Sequence, residues 1–166
     1  MRVSRFVAIA AVLCLACSDS TGIRLQGPSF MRAQIDGSPF SLDENDAFVW
    51  AVNGTMLMVQ GLPGTIQPVG NQYIHMQVAD YRGPGTYELE QDATPGANEG
   101  IYGVFDGSFT PTASYQTLGQ HKGSLRILAE DARSGTLVGT FEFSAISNMG
   151  GSSEVHITQG SFRIRH

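Results

Sequence analysis

The fold is decided by the stretch Ala47-Phe-Val-Trp-Ala-Val-Asn-Gly-Thr-Met-Leu-Met-Val-Gln60, in which two apolar runs flank one turn signal. Asn53-Gly54 is typical of the two-residue type I′ turn, because both of its central positions need a positive φ. The stretch therefore predicts a β-hairpin. The predicted cross-strand pairs are Val52–Thr55, Trp50–Leu57 and Phe48–Val59.

This hairpin is apolar on both faces, which is unusual because one face of a hairpin is commonly wet. We expect the face with Phe48 and Trp50 to lie in the core. The opposite face is predicted either to be covered by a loop or to form a binding surface, with Met56 and Met58 as candidate ligand contacts. Its residues are Val49, Ala51, Met56 and Met58.

The remainder of the chain reads as short β-type runs separated by Gly, Pro, Asn and Asp. Tyr73-Ile-His-Met-Gln-Val78 alternates, which places Ile74, Met76 and Val78 inward. About nine strands at this spacing predict an all-β, antiparallel β-sandwich, with a closed or partly open β-barrel as the alternative.

Two strands near the C-terminus carry irregularities. In the run Thr136-Leu-Val-Gly-Thr-Phe-Glu-Phe-Ser-Ala145, the apolar side chains share one face and Gly139 leaves a gap in their row. In the last strand the inward phase changes between Ile157 and Phe162. We therefore predict a β-bulge near Gln159, with Gly160 in the positive-φ position.

The N-terminus has the features of a bacterial lipoprotein signal. Met1-Arg-Val-Ser-Arg5 is basic, an apolar run follows to Ala16, and Cys17 comes next. The sequence predicts a signal peptide over residues 1–16, a lipidated Cys17 that opens a flexible tether over 17–29, and a domain over 30–166. Cys14 stands where a lipobox usually has leucine, so an ordinary secretory signal is the alternative. By resemblance to the sorting rule of enteric bacteria, Ser18 after the cysteine implies the outer membrane rather than the inner membrane as the lipid-anchored location in the cell envelope.

The charge composition limits the classes of partner that the protein is expected to bind. The chain has a formal net charge of −5, and removal of residues 1–16 leaves 8 basic against 15 acidic residues. Such an acidic surface excludes nucleic acid as an expected partner, because nothing would neutralise the phosphates. The expected partners are the membrane, through the lipid on Cys17, and a glycan or a protein. Both cysteines lie at the N-terminus, so no disulfide is expected in the domain.

No catalytic or metal motif is recognised. A Gly-x-Ser-x-Gly elbow is absent, and the histidines at 75, 121, 156 and 166 are scattered singly. Asp43-Glu-Asn-Asp46 reads as a solvated turn rather than a calcium loop. Glu88, Glu90 and Glu142 are predicted to point outward for solubility. We expect no cofactor and no metal.

Tyr102 and Tyr115 are the predicted exposed aromatic contacts, because they lie in loop-rich sequence and a phenol ring can stack on a ligand. Trp50 shares the hairpin face of Phe48 and is predicted to lie in the core.

A recurring pattern starts with glycine and continues as an alternating strand. It is found in Gly85-Thr-Tyr-Glu-Leu89, Gly123-Ser-Leu-Arg-Ile127, Gly139-Thr-Phe-Glu-Phe143 and Gly160-Ser-Phe-Arg-Ile164, preceded by Met31-Arg-Ala-Gln-Ile-Asp-Gly-Ser-Pro-Phe40. In this order the motifs resemble a family of small bacterial lipoproteins of unknown function with a single β-sandwich domain. The resemblance implies architecture and location, and it brings no active site.

Two hypotheses for the function follow. The first is a non-enzymatic binding or structural module that contacts its ligand through the loops of residues 91–121 or through the second hairpin face. The second is a hydrolase of envelope or extracellular glycans, whose paired carboxylates are brought together by folding. A small-molecule carrier with a barrel interior is a third alternative.

Overall fold

The computed structural model describes residues 25–90 and 97–165, which form an all-β fold with eleven antiparallel strands and no helix in those ranges. The strands are β1 (Phe30–Ile35), β2 (Ser38–Leu42), β3 (Ala47–Asn53), β4 (Met56–Leu62), β5 (Asn71–Val78), β6 (Gly85–Leu89), β7 (Glu99–Phe105), β8 (Pro111–Gln116), β9 (Gly123–Asp131), β10 (Thr136–Ser147) and β11 (Glu154–Arg165). Over the same ranges, no helix has the length and apolar character needed to cross a membrane. The predicted signal peptide, Cys17 and His166 lie outside the described residues.

The strands follow the order β2-β1-β11-β10-β8-β7-β5-β4-β3, in an open sheet that starts at β2 and ends at β3. The long strand β10 lets this sheet fold over itself. Its residues 136–143 pair with β9, while Ile146 and Ser147 pair with β8. We call β2, β1, β11, β10, β9 and β6 the first layer, and β8, β7, β5, β4 and β3 the second layer. The predicted β-sandwich is confirmed, and the described strands do not close into a barrel.

The core lies between the layers and takes alternate residues from each strand. Ile74, Met76 and Val78 of β5 are fully buried, as their alternation predicts. The predicted row of β10 is buried as well, and its members are Leu137, Phe141, Phe143 and Ala145. Trp50 also lies in the core, where its indole Nε1 donates a hydrogen bond of 3.0 Å to the Gly135 carbonyl of the β9–β10 turn. This bond ties the edge strand β3 to the first layer.

The register of the β3–β4 hairpin differs from the prediction. Trp50 lies opposite Val59, and Asn53 lies opposite Met56, so the turn consists of Gly54 and Thr55. Only Gly54 has a positive φ, of 64°, which suits a type II′ turn with glycine in its first central position. The prediction that Asn53 and Gly54 form a type I′ turn was therefore wrong by one residue.

The positive-φ pair that a type I′ turn requires is found in the β1–β2 hairpin instead. Asp36 has a φ of 49° and Gly37 a φ of 78°, between the opposed residues Ile35 and Ser38. The Asp36 amide donates to the carbonyl of His156, and Asp36 Oδ1 accepts from the His156 amide. These bonds fix the turn against β11.

The predicted bulge in the last strand is confirmed, with one correction. Phe141 lies opposite Gly160 and Phe143 lies opposite Ile157, so β11 carries one extra residue between these pairs. Gln159, not Gly160, has the positive φ, of 54°. Glycine is needed at 160 for a different reason, because a Cβ there would lie 2.3 Å from the carbonyl oxygen of Phe141.

Candidate functional site

Tyr102 and Tyr115 do not form the exposed contacts that the sequence predicts. Residues 99–116 are mostly the β7–β8 hairpin, where the two tyrosines lie directly opposite each other and their rings stack with centroids 5.9 Å apart. Tyr102 is only 6% exposed and belongs to the core, and Tyr115 packs against that core. Burial raises the pKa of Tyr102. The expected exposure was wrong because this segment pairs as strands rather than forming loops.

Met56 and Met58 lie on the solvent-facing side of β4, as the predicted face requires. Met56 is 36% exposed, Val49 on β3 is 40% exposed, and Met58 is half-buried opposite Ala51. This side of the hairpin is therefore a surface and not a second core.

The strands β3, β4 and β5, which include these methionines, contain no charged residue. No Asp, Glu, Lys or Arg occurs in residues 47–79, which include β3, β4 and β5. We call the outward side of these three strands the uncharged face; its residues are Val49, Ala51, Met56, Met58, Gln60, Tyr73, His75 and Gln77. His75 is half-buried there, and burial lowers its pKa.

The first layer has the opposite surface chemistry, with a polar groove across β6, β9, β10 and β11. The groove consists of two adjoining depressions of about 560 and 670 Å³ that share Thr86, Ser124 and Glu142. Its polar lining residues are Thr86, Glu88, Lys122, Ser124, Arg126, Thr140, Glu142, Ser144, His156, Thr158, Gln159 and Ser161.

A repeated motif builds the centre of this groove. Gly85-Thr-Tyr-Glu-Leu89 in β6 and Gly139-Thr-Phe-Glu-Phe143 in β10 pair with opposite edges of β9 in the same register. Glu88 and Glu142 therefore both lie opposite Ser124. The motif's tyrosine and phenylalanine positions point the other way and pack with the core.

The two threonines of the motif repeat this arrangement one row away. Thr86 and Thr140 both lie opposite Arg126 of β9, and Thr140 also pairs with Ser161 of β11. We call each Thr-x-Glu segment, Thr86 to Glu88 and Thr140 to Glu142, a frame. The two frames lie on opposite sides of Ser124 and Arg126. Across two strand spacings, the Cα atoms of the two glutamates are about 10 Å apart.

The alternation of Glu88 and Glu142 predicted outward residues that serve solubility, and it did not predict the groove. Both are exposed, but the fold places them in one depression with Arg126 between their strands. The sequence signal was the repeated Gly-Thr-aromatic-Glu motif, which gives the two glutamates equivalent positions. At the rim, Lys122 forms an ion pair with Glu90.

The acidic run of residues 43–46 forms a turn that uses its own carboxylates. Asp43 Oδ1 accepts from the Asn45 amide at 2.9 Å, and Asp46 accepts from the amides of Asp43 and Gly64. In residues 25–90 and 97–165, no three His, Cys, Asp or Glu side chains are grouped so as to hold a metal ion.

Comparison with known proteins identifies a family whose function is unknown. No curated protein and no solved structure matches the chain. The model of a domain of unknown function, DUF6252, matches residues 28–164, a range that includes every described strand apart from the last residue of β11. The resemblance seen in the sequence implied a family of unknown function, and this match agrees with that. Membership of a lipoprotein family stays a prediction. The chain belongs to the DUF6252 family.

Proposed function

We propose that the protein is a lipid-anchored component of the bacterial cell envelope whose domain binds a glycan chain in the polar groove without converting it. The lipid would be carried by Cys17, and the residues between it and Gln26 would tether the domain to the membrane, since the carbonyls of Gln26 and Pro28 accept hydrogen bonds from Arg163 of β11. The groove lies in the first layer, where an extended ligand can run across four neighbouring strands.

The observation that carries this proposal is the paired frame around Ser124. Glu88 and Glu142 offer carboxylate oxygens on both sides of the Ser124 hydroxyl, and each carboxylate can accept hydrogen bonds from two ligand hydroxyls. Arg126 offers donors one row away, between Thr86 and Thr140. A ligand dense in hydroxyl groups matches this alternation of acceptors and donors.

Charge and shape favour a neutral glycan over other polar chains. The chain carries 15 acidic against 10 basic residues, so an anionic polymer would meet repulsion. Both depressions are open to solvent and are lined by many hydroxyl, amide and charged residues, which suits a polar chain better than a small apolar molecule that needs an enclosed pocket.

A second candidate is a glycan hydrolase that uses Glu88 and Glu142 as its carboxylate pair. Their Cα separation of about 10 Å is compatible with the carboxyl separation of an inverting glycosidase. Binding without cleavage is the better-supported function, because both glutamates are exposed. A glycosidase acid is normally kept protonated by desolvated, apolar surroundings.

Isothermal titration calorimetry with oligosaccharides from bacterial envelopes tests whether the groove binds a glycan. We expect Glu142→Gln to weaken binding at least about tenfold, equivalent to about 1.4 kcal/mol, as a lost charge-assisted hydrogen bond would. Glu44→Gln is the matched control, since Glu44 is exposed but lies in the turn of residues 43–46, away from the groove.

The same oligosaccharides, recovered after incubation, distinguish the two candidates. Intact oligosaccharide with binding lost only in the groove variants supports the binding module. Cleavage that stops in Glu142→Gln or Glu88→Gln would instead identify the hydrolase. Binding that is equal in the Glu44 and Glu142 variants would contradict a ligand site in the groove.

The anchor is tested separately in a bacterial host. We expect Cys17→Ala to leave unlipidated precursor that no longer fractionates with membranes after carbonate washing. Normal membrane anchoring of this variant would overturn the lipoprotein part of the proposal and leave the groove untouched.

A further inference from the structure

We propose that β3 is a dimerisation strand, where a second copy of this chain adds antiparallel to the first and continues the sheet of the second layer. The inference concerns the layer opposite the polar groove and does not depend on what the groove binds.

β3 carries little that would discourage further strand pairing. β3 ends the sheet order and pairs with β4 alone among the described strands. Natural edge strands are usually short or carry Pro, Lys or a bulge that discourages further pairing. β3 has seven residues, no proline, no charge and an unbroken register with β4. At the other end of the sheet, β2 has only five residues and includes Pro39.

β3 belongs to a part of the chain that has no charged residue. The chain has a net charge of −5, so two copies repel each other over most of their surfaces. Residues 47–79 contain no charged side chain, and β3 lies at the border of this region. Depletion of charge and enrichment in methionine are typical of the centres of protein interfaces. Val49, Val52 and Met56 are exposed in this region, by 40, 43 and 36% respectively.

The sequence of β3 allows it to pair with the same strand of a second copy. A twofold axis perpendicular to the sheet makes two copies of one strand antiparallel and keeps equivalent faces on the same side. With this axis, Val49 can lie opposite Ala51 of the second copy, and Phe48 opposite Val52 of the second copy. Both pairs unite side chains from the same face, so the outward and core-facing sides continue across the dimer.

A second copy is a better occupant than a lipid surface. The edge offers backbone N–H and C=O groups on alternate residues of β3, and a bilayer interior cannot satisfy them. A strand can satisfy them, and a second copy brings one that is equally free of charge.

Light scattering coupled to size-exclusion chromatography of the full chain in mild detergent tests this proposal, with the detergent contribution subtracted. At about 100 µM protein, a dissociation constant in the micromolar range gives mostly dimer, with twice the mass of the chain. We expect Val49→Lys to give a monomer, since a lysine on an edge strand opposes pairing. Thr112→Lys is the matched control, because Thr112 is an exposed β8 residue in the same layer and should leave the dimer intact.

Thermal melting shows whether the Val49 variant is folded. Val52→Lys, at a second exposed position on the same strand, provides the same test if Val49→Lys does not fold. A wild-type chain that is monomeric at about 100 µM would overturn the proposal, as would a dimer that persists in both folded lysine variants. A monomer that instead takes up a strand of a different protein would also overturn it.

Discussion

The ring of Phe162 lies over Gly139, the residue directly opposite it in the β10–β11 pair. A Cβ at position 139 would stand 2.5 Å from Phe162 Cζ and 2.7 Å from the carbonyl oxygen of Arg126. Phe162 is fully buried, so its ring has no space into which it can move. The gap that glycine leaves in the core row of β10 is therefore filled by a side chain from the neighbouring strand.

Gly139→Ala should lower the free energy of unfolding by about 2 kcal/mol, because an added methyl group overpacks a filled site. For a domain of this size, the loss corresponds to a decrease in Tm of roughly 5–10 °C. Gly85→Ala is the control, since a Cβ there meets nothing closer than 3.6 Å. Equal Tm values for the wild type and Gly139→Ala would show that Phe162 does not occupy this space.

Gly54→Val and Asn53→Val should differ in their effect on stability, because only Gly54 has a positive φ. A side chain in the left-handed region costs about 1–2 kcal/mol, so Gly54→Val should reduce the free energy of unfolding by about that amount. Asn53 lies in β3, where valine is well accommodated, and its replacement should change stability by less than about 0.5 kcal/mol. Denaturant unfolding measures both values. Similar losses in the two variants would favour the type I′ turn that the sequence alone predicts.

The predicted and the observed register of the β3–β4 hairpin show which features of the fold the sequence could determine. Moving the turn by one residue shifts each cross-strand partner by two, so Trp50 lies opposite Val59 rather than Leu57. Because the side-chain period of a strand is also two, both registers leave every residue on the same face. The hydrophobic pattern therefore predicted the buried face and could not determine the register.

The polar groove could not be predicted from the sequence, for a different reason. The repeated motifs of β6 and β10 were visible, but their shared role depends on β9 pairing with both of them. Glu88 and Glu142 are far apart in the chain, and alternation says nothing about which strands become neighbours. Tyr102 was predicted to be exposed because it lies in loop-rich sequence, and the apolar run of residues 101–105 has no alternation that would have shown its ring to face the core.

The bulge in β11 should respond in opposite ways to two substitutions. Gln159 has a φ of 54°, which glycine adopts without strain, so Gln159→Gly should gain about 0.5 kcal/mol after the entropy of glycine is deducted. Gly160→Ala should lose about 2–3 kcal/mol, because its Cβ would lie 2.3 Å from a backbone oxygen that cannot move aside. Thermal melting of both variants checks the prediction. If Gln159→Gly lowers the Tm and Gly160→Ala does not, residue 160 and not residue 159 has the positive φ, as the sequence alone predicts.

The stability of the domain should decrease below neutral pH because of His75. Burial lowers the pKa of His75 in the folded protein, while the unfolded chain has a pKa of about 6.5. As the pH falls through about 6.5, the unfolded chain binds a proton before the folded one does, so unfolding becomes more favourable. This loss continues until the pH reaches the lowered pKa of the folded state. No carboxylate lies directly opposite His75, whose cross-strand partners are Gln60 and Ile101.

Comparison of His75→Gln with the wild type isolates this effect from other titrating groups. Glu99 acts in the opposite direction, since burial raises its pKa and its protonation at low pH favours the folded state. Because His75→Gln removes the titrating imidazole and keeps Glu99, the decrease in Tm between about pH 7.5 and about pH 5.5 should be smaller in His75→Gln than in the wild type. His156→Gln, at an exposed position in the polar groove, should keep the wild-type decrease. If His75→Gln also keeps it, protonation of the uncharged face does not control the stability of the fold.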